Sequence, residues 1–150
     1  YDNGKGVGQN DVLAVEWYRK AAEQGYAEAQ HNLGVMYDNG KGVVQSYEKA
    51  VEWYRKAANQ GHTQAQNNLG VMYANGQGVA KDLTEAVRLF KSAAEQNHAG
   101  AQFNLRVIET AKILLELAAS ASPPDPKTEQ QLEETREQLQ QLERGMEKNP

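Results

Sequence analysis

Three histidines, His31, His62 and His98, are the residues best suited by type to do chemistry. An imidazole near neutral pH serves as a general base or a metal ligand, but either role needs partners at defined spacing. His62 and His98 share a phase with Tyr26, each 36 residues from the next (62 − 26 and 98 − 62), near the start of successive short helices. They read as solvated helix-start residues. No histidine or carboxylate cluster has metal-ligand spacing, so neither a metal nor a cofactor is expected. The serines are Ser46, Ser92, Ser120 and Ser122, and the first is better explained as a helix cap. No nucleophile elbow or dinucleotide fingerprint is present, and the G-x-G of Gly40 and Gly42 lacks a preceding strand and the Lys-Ser/Thr of a phosphate loop. That G-x-G reads as a turn, and catalysis is not expected.

The elements that would position these residues repeat. Tyr1-Asp2-Asn3-Gly4-Lys5-Gly6-Val7 returns at Tyr37 to Val43 and, as YANGQGV, at Tyr73 to Val79, a period of 36 residues (37 − 1 and 73 − 37). Val15 to Ala22 recurs as Val51 to Ala58 and more loosely as Val87 to Ala94. Ala50, Val51, Tyr54, Ala57 and Ala58 fall on one helical face, and Ala29, Leu33, Met36 and Tyr37 do the same for a shorter helix. Fixed alanines allow close helix approach, while Trp53 and Tyr54 supply bulk between units. Asn10, Ser46 and Asp82 precede the longer helices as caps, with Glu85 completing a capping box. Gly25, Gly61 and Asn97 close those helices, and Gly4/Gly6, Gly40/Gly42 and Gly76/Gly78 turn the chain between helices. Two helices per unit follow, the first complete one over about Asp11 to Gln24.

Ala29, Leu33, Gly34, Met36, Tyr37, Gly40, Gly42 and Val43, followed by Ala50 to Ala58 and Gln60-Gly61, carry a pattern that resembles the Sel-one-like repeat, a relative of the tetratricopeptide repeat. The likeness covers residues 1–105. It implies an all-α fold, a right-handed α-α superhelix whose shorter helices line a concave face, acting as a scaffold or adaptor for other proteins. Some relatives with paired cysteines are associated with β-lactams; this chain has no cysteine, so that association does not transfer. Relatives are often exported, but the compartment of this chain is not fixed by its sequence.

Composition agrees with a helical protein of ordinary polarity, with 39% hydrophobic and 24% charged residues. A net charge of −4 gives no footprint for nucleic acid, and no apolar run is long enough for a membrane span.

The pattern breaks after Leu105. Arg106 replaces the glycine of earlier copies, and Val107 to Ala119 continues the helix, which is expected over about 99–119. Its aliphatic residues wrap round more than one face. Ser120 to Pro124 reads as a stiff connector, and Asp125-Pro126 as a cap and first turn leading a helix over about 126–147. Leu132, Leu139 and Met146, with Leu142, make a narrow seam at heptad spacing. Residues 106–150 are therefore expected to form a helical hairpin that caps the repeats and joins copies into a homo-oligomer through Ile108, Ile113, Leu114, Leu117, Leu132, Leu139, Leu142 and Met146. The start in mid-repeat and the unrelated pair after Arg106 point to an engineered chain.

On the architecture that the resemblance implies, Asn32, Asn68 and Asn104 form a ladder of amides along the concave face. His31, Asn67 and Phe103 stand beside them, with Val35, Val71 and Val107 as apolar pockets. Side-chain amides donate and accept together, which suits an extended peptide as the alternative partner.

Overall fold

The computed structural model describes residues 3–120 and 125–146, with the side chains of 3–7, 9, 139 and 141–146 outside the description. The connector expected over Ser120 to Pro124 falls mostly outside it too. Among the described residues the chain is helical throughout: α1 (Asn3–Glu23), α2 (Ala27–Asn39), α3 (Tyr47–Asn59), α4 (Thr63–Asn75), α5 (Leu83–Glu95), α6 (Ala99–Ser120) and α7 (Pro126–Met146). Each helix packs on the one before it, so the pairs stack as a helix-turn-helix superhelix.

The alanines at fixed phase are why the stack closes. Ala50, Ala57, Ala65, Ala86, Ala93 and Ala101 are each wholly buried, which lets neighbouring backbones come together. The largest side chains sealed between helices are Tyr54, Phe90 and Leu33. Trp53 lies at the rim, half-buried, with the Lys56 ammonium 4.5 Å above its ring. The bulk between units therefore comes from Tyr54 more than from Trp53.

Helix ends follow their punctuation. Ser46 accepts from the Lys49 N–H at 3.2 Å and Asp82 from the Glu85 N–H at 3.0 Å. The return half of the expected box is absent: Glu85 turns instead to Arg88, and the Asp82 N–H donates to the Tyr73 carbonyl. Gly25, Gly61 and Asn97 are left-handed, as are both glycines of each later turn. Gly78 also needs its bareness, since a Cβ there would lie 2.5 Å from the Tyr47 carbonyl carbon.

The first copy departs from expectation. α1 runs unbroken through Gly4, Gly6 and Asn10, so Asn10 is an interior residue of the helix and not its cap. In the later copies the turn is tied to the short helix before it, by the Lys41 N–H on the Met36 carbonyl and the Ser46 N–H on the Tyr37 carbonyl. In the first copy the corresponding segment makes ordinary helical bonds instead.

Candidate functional site

The short helices α2 and α4 and the first turns of α6 meet along one seam, and the side chains crossing it are set by local chemistry. His62 is the N-cap of α4, its Nδ1 accepting from the Ala65 N–H at 3.2 Å. That leaves the ring proton on Nε2, which donates to Glu28 Oε2 at 2.8 Å across the repeat boundary. Glu28 stands in the first turn of α2, and His31 one turn further on. The His31 ring stacks on His62 with centroids 4.7 Å apart and lies 5.9 Å from Tyr54. Its Nε2 meets Asn68 Nδ2 at 3.2 Å. An amide nitrogen only donates, so Nε2 accepts and the proton sits on Nδ1, which is buried without a partner.

His62, expected to be solvated, has only 14% of its side chain exposed, and His31 is buried at 8%. Burial above all, and then the neighbouring His62, hold its protonation below the ordinary histidine range. Glu28 sits at the rim, and the His62 hydrogen bond depresses its carboxyl. One ligating atom from each of Glu28, His31 and His62 lies within 4.8 Å of the others. The sequence reading missed this set, because the three are brought together only by stacking one repeat on the next.

The amide ladder crosses the same seam. Asn68 reaches back to His31, and Asn104, itself buried, donates to Asn67 Oδ1 at 3.2 Å. Asn32, Asn67, Val35, Val71 and Val107 are half-buried, and Phe103 is exposed. A second, unanticipated ladder runs through glutamines. Gln60 Nε2 donates to Gln30 Oε1 at 2.8 Å and Gln96 Nε2 to Gln66 Oε1 at 3.0 Å, while Gln30 and Gln66 donate to the Ala22 and Ala58 carbonyls. The Ala-Gln recurrence in the sequence was its signal.

At the other end, α6 presents the expected aliphatic residues unevenly. Ile108 packs inward with Val71 and Leu105 against the second core cluster. Ile113 and Leu117 are exposed, and Leu114 is half-buried. Leu132 of α7 is half-buried, while the side chains of Leu139, Leu142 and Met146 lie outside the described residues. A cavity of about 300 Å³ lies between the two helices, lined by Phe103, Val107, Thr110 and Ala111 on α6 and Thr135 and Gln138 on α7. No described helix is long and apolar enough to cross a membrane.

Stacked helix pairs with inter-repeat amide ties and broad side-chain faces define a helical-repeat scaffold, a class that works by presenting surface. The model of the Sel1 repeat matches residues 1–26, 27–62 and 63–98. The chain belongs to the Sel1 repeat family. Among solved structures it is similar to a Sel1 repeat protein from Oxalobacter formigenes, at 42% identity over 69% of this chain and 78% of that one, with a TM-score of 0.62. It is also similar to a protective antigen of uropathogenic Escherichia coli strains displaying an SLR fold, at 38% identity and TM-score 0.63 over 85% of this chain; the match spans 26% of that protein. Cysteine-rich protein B of Helicobacter pylori matches at 30% identity and TM-score 0.58, over 61% of this chain and 68% of that one. No curated protein matches the sequence.

Proposed function

We propose that the chain is a non-catalytic interaction scaffold that associates with itself through α6 and α7. The aliphatic stripe of α6 carries this reading: Ile113, Leu115 and Leu117 are 57%, 52% and 60% exposed. Complete burial of such a side chain is worth about 1.5–3 kcal/mol, so a row of them left in water is a contact surface. A second copy is the occupant favoured by charge. Glu109, Lys112 and Glu116 flank the stripe with alternating sign, which an antiparallel copy of the same helix can match. The heptad seam of α7 supplies further apolar length. In this reading residues 106–150 cap the repeats and join copies, and the change of pattern after Arg106 supports an engineered origin for that hairpin. Light scattering of the intact chain is expected to give a discrete oligomer. Leu114→Glu with Leu117→Glu should reduce it to monomer while circular dichroism stays helical. A wild-type monomer at roughly 50 µM removes the reading.

A second reading, an adaptor for extended peptides, is supported by Val35 and Val71, half-buried on successive short helices beside Asn32 and Asn67. Asn68 and Asn104 already spend amide donors on the seam, which leaves fewer of them for a ligand. A panel of extended peptides should yield a binder that Asn32→Ala weakens without altering the oligomeric state. A panel with no binder, or one indifferent to Asn32, counts against it.

A further inference from the structure

The geometry points to a divalent metal site of the zinc class at the junction of the first two helix pairs, with Glu28, His31 and His62 as its ligands. Two imidazoles and a carboxylate, with a coordination position left for water, are a donor set that a zinc-class ion takes readily, whereas calcium and magnesium prefer oxygen alone. The ligating atoms lie within 4.8 Å of one another. Around a tetrahedral ion with bonds near 2.0–2.1 Å they would stand about 3.3 Å apart, so closure asks for movements of about 1.5 Å and for one imidazole to turn out of its stack on the other, because both lone pairs lie in the ring planes. Glu28, with 73% of its side chain exposed, opens the site to solvent, and His62 at 14% and His31 behind it form the dry wall.

Packing alone does not require this set. One repeat further on, the same phases carry Gln64, Asn67 and His98. That second junction is closed by the Asn104–Asn67 bond where the first uses Asn68–His31, and His98 caps α6 through Ala101 as His62 caps α4. The seam thus closes without a carboxylate at the first phase or an imidazole at the second. His31 moreover keeps a buried Nδ1 with no partner, a cost of about 1–3 kcal/mol that a ligated ion would remove. An ion on Nδ1 would move the His31 proton to Nε2, where a flipped Asn68 amide could accept it through Oδ1, the outer-shell support that ligating histidines usually have. Binding at His62 Nε2 shifts that ring's proton to Nδ1 and gives up the Ala65 cap, at about 1 kcal/mol. No net proton is released, since each neutral imidazole only changes tautomer.

The test is calorimetric titration of the intact chain with Zn²⁺, with Mg²⁺ and Ca²⁺ as comparison ions. One Zn²⁺ per chain is expected, the other two ions not binding, and the Ala65 amide resonance should shift on loading. Glu28→Gln with His31→Asn gives the first junction the residue types of the second; it should keep the metal-free melting temperature and weaken Zn²⁺ at least ~10-fold. His98→Asn should bind as wild type. Should the double variant unfold, Glu28→Gln alone, altered only at the rim, decides by the same criterion. No 1:1 binding below roughly 100 µM, or equal binding by the variants that lack the ligands, overturns the assignment and leaves the three side chains as a packing seam.

Discussion

Gly34 lies under the ring of Tyr54 so closely that a Cβ at position 34 would sit 2.6 Å from Tyr54 Cδ1. Gly70 stands in the same relation to Phe90, with 2.7 Å to Cε1. Each short helix thus leaves a bare backbone for the aromatic ring of the long helix that follows. At the next occurrence of these phases the chain has Arg106 and Pro126. Neither the slot nor the ring is present, which is a physical reason for the array to stop there.

Gly34→Ala should therefore destabilise the fold. Alanine gains up to ~1 kcal/mol of helix propensity, but overpacking a ring that is 1% exposed costs about 1–3 kcal/mol. Urea denaturation measures the balance. Gly8→Ala in α1 is the control, because a Cβ there meets nothing within 4 Å. It should cost nothing, and a Gly34→Ala protein as stable as wild type would show that the ring has room to move.

Asp38 accepts a hydrogen bond from the Tyr54 hydroxyl at 3.1 Å. Burial raises its carboxyl above the usual 3.8, and the Tyr54 bond offsets this in part. A carboxyl whose folded pKa is raised contributes stability that is complete below the unfolded value and is lost as pH rises through the folded one. Asp38→Asn keeps an acceptor for Tyr54 without the charge. At about pH 7 it is expected to melt no lower than wild type, and to lack the loss of stability that wild type shows as pH rises above about 4. A melting temperature several degrees lower at neutral pH would mean that the ionised carboxylate is preferred.

Gln66 is the inner member of the glutamine ladder, with 6% of it exposed and bonds to both Ala58 and Gln96. Gln66→Ala removes two hydrogen bonds whose partners keep the Gly61 N–H and the Ser92 carbonyl, so the loss is that of the bonds alone, about 1–2 kcal/mol in chemical denaturation. Exposed Gln64→Ala should change stability by less than ~0.5 kcal/mol. Equal effects at the two positions would deny the ladder any structural role.

The two cap-phase residues should respond differently. Asp82→Ala removes the acceptor for the Glu85 N–H and is expected to cost about 1 kcal/mol, with faster hydrogen exchange at Glu85. Asn10 is an exposed residue inside α1, where alanine is the better helix former, so Asn10→Ala should be neutral or slightly stabilising. A cap-sized loss at position 10 would place a helix start there after all.

Much of the fold was legible because its causes are local. Left-handed closure at Gly25, Gly61 and Asn97 and the side-chain caps at Ser46 and Asp82 depend on a few neighbouring residues, and the alanine phase depends on helical period alone. The long helix through Arg106 and the cap at Asp125 were readable for the same reason; Asp125 accepts from the Thr128 N–H at 2.7 Å. The helix through Gly4 and Gly6 was not legible, because the same Gly-x-Gly pattern is a turn only where tertiary bonds such as those to the Met36 and Tyr37 carbonyls hold it.

The sequence by itself determined a helix-pair array with a 36-residue period, its later turns and the residue at which the pattern changes. Only the tertiary structure decided which side chains face one another across a repeat boundary. Glu28 and His62 are 34 residues apart, and Asn68 and His31 are 37 apart. Whether such pairs meet depends on how one helix pair rotates onto the next, a rotation set by rings seated over glycines and by buried alanines, and no spacing along the chain encodes that angle.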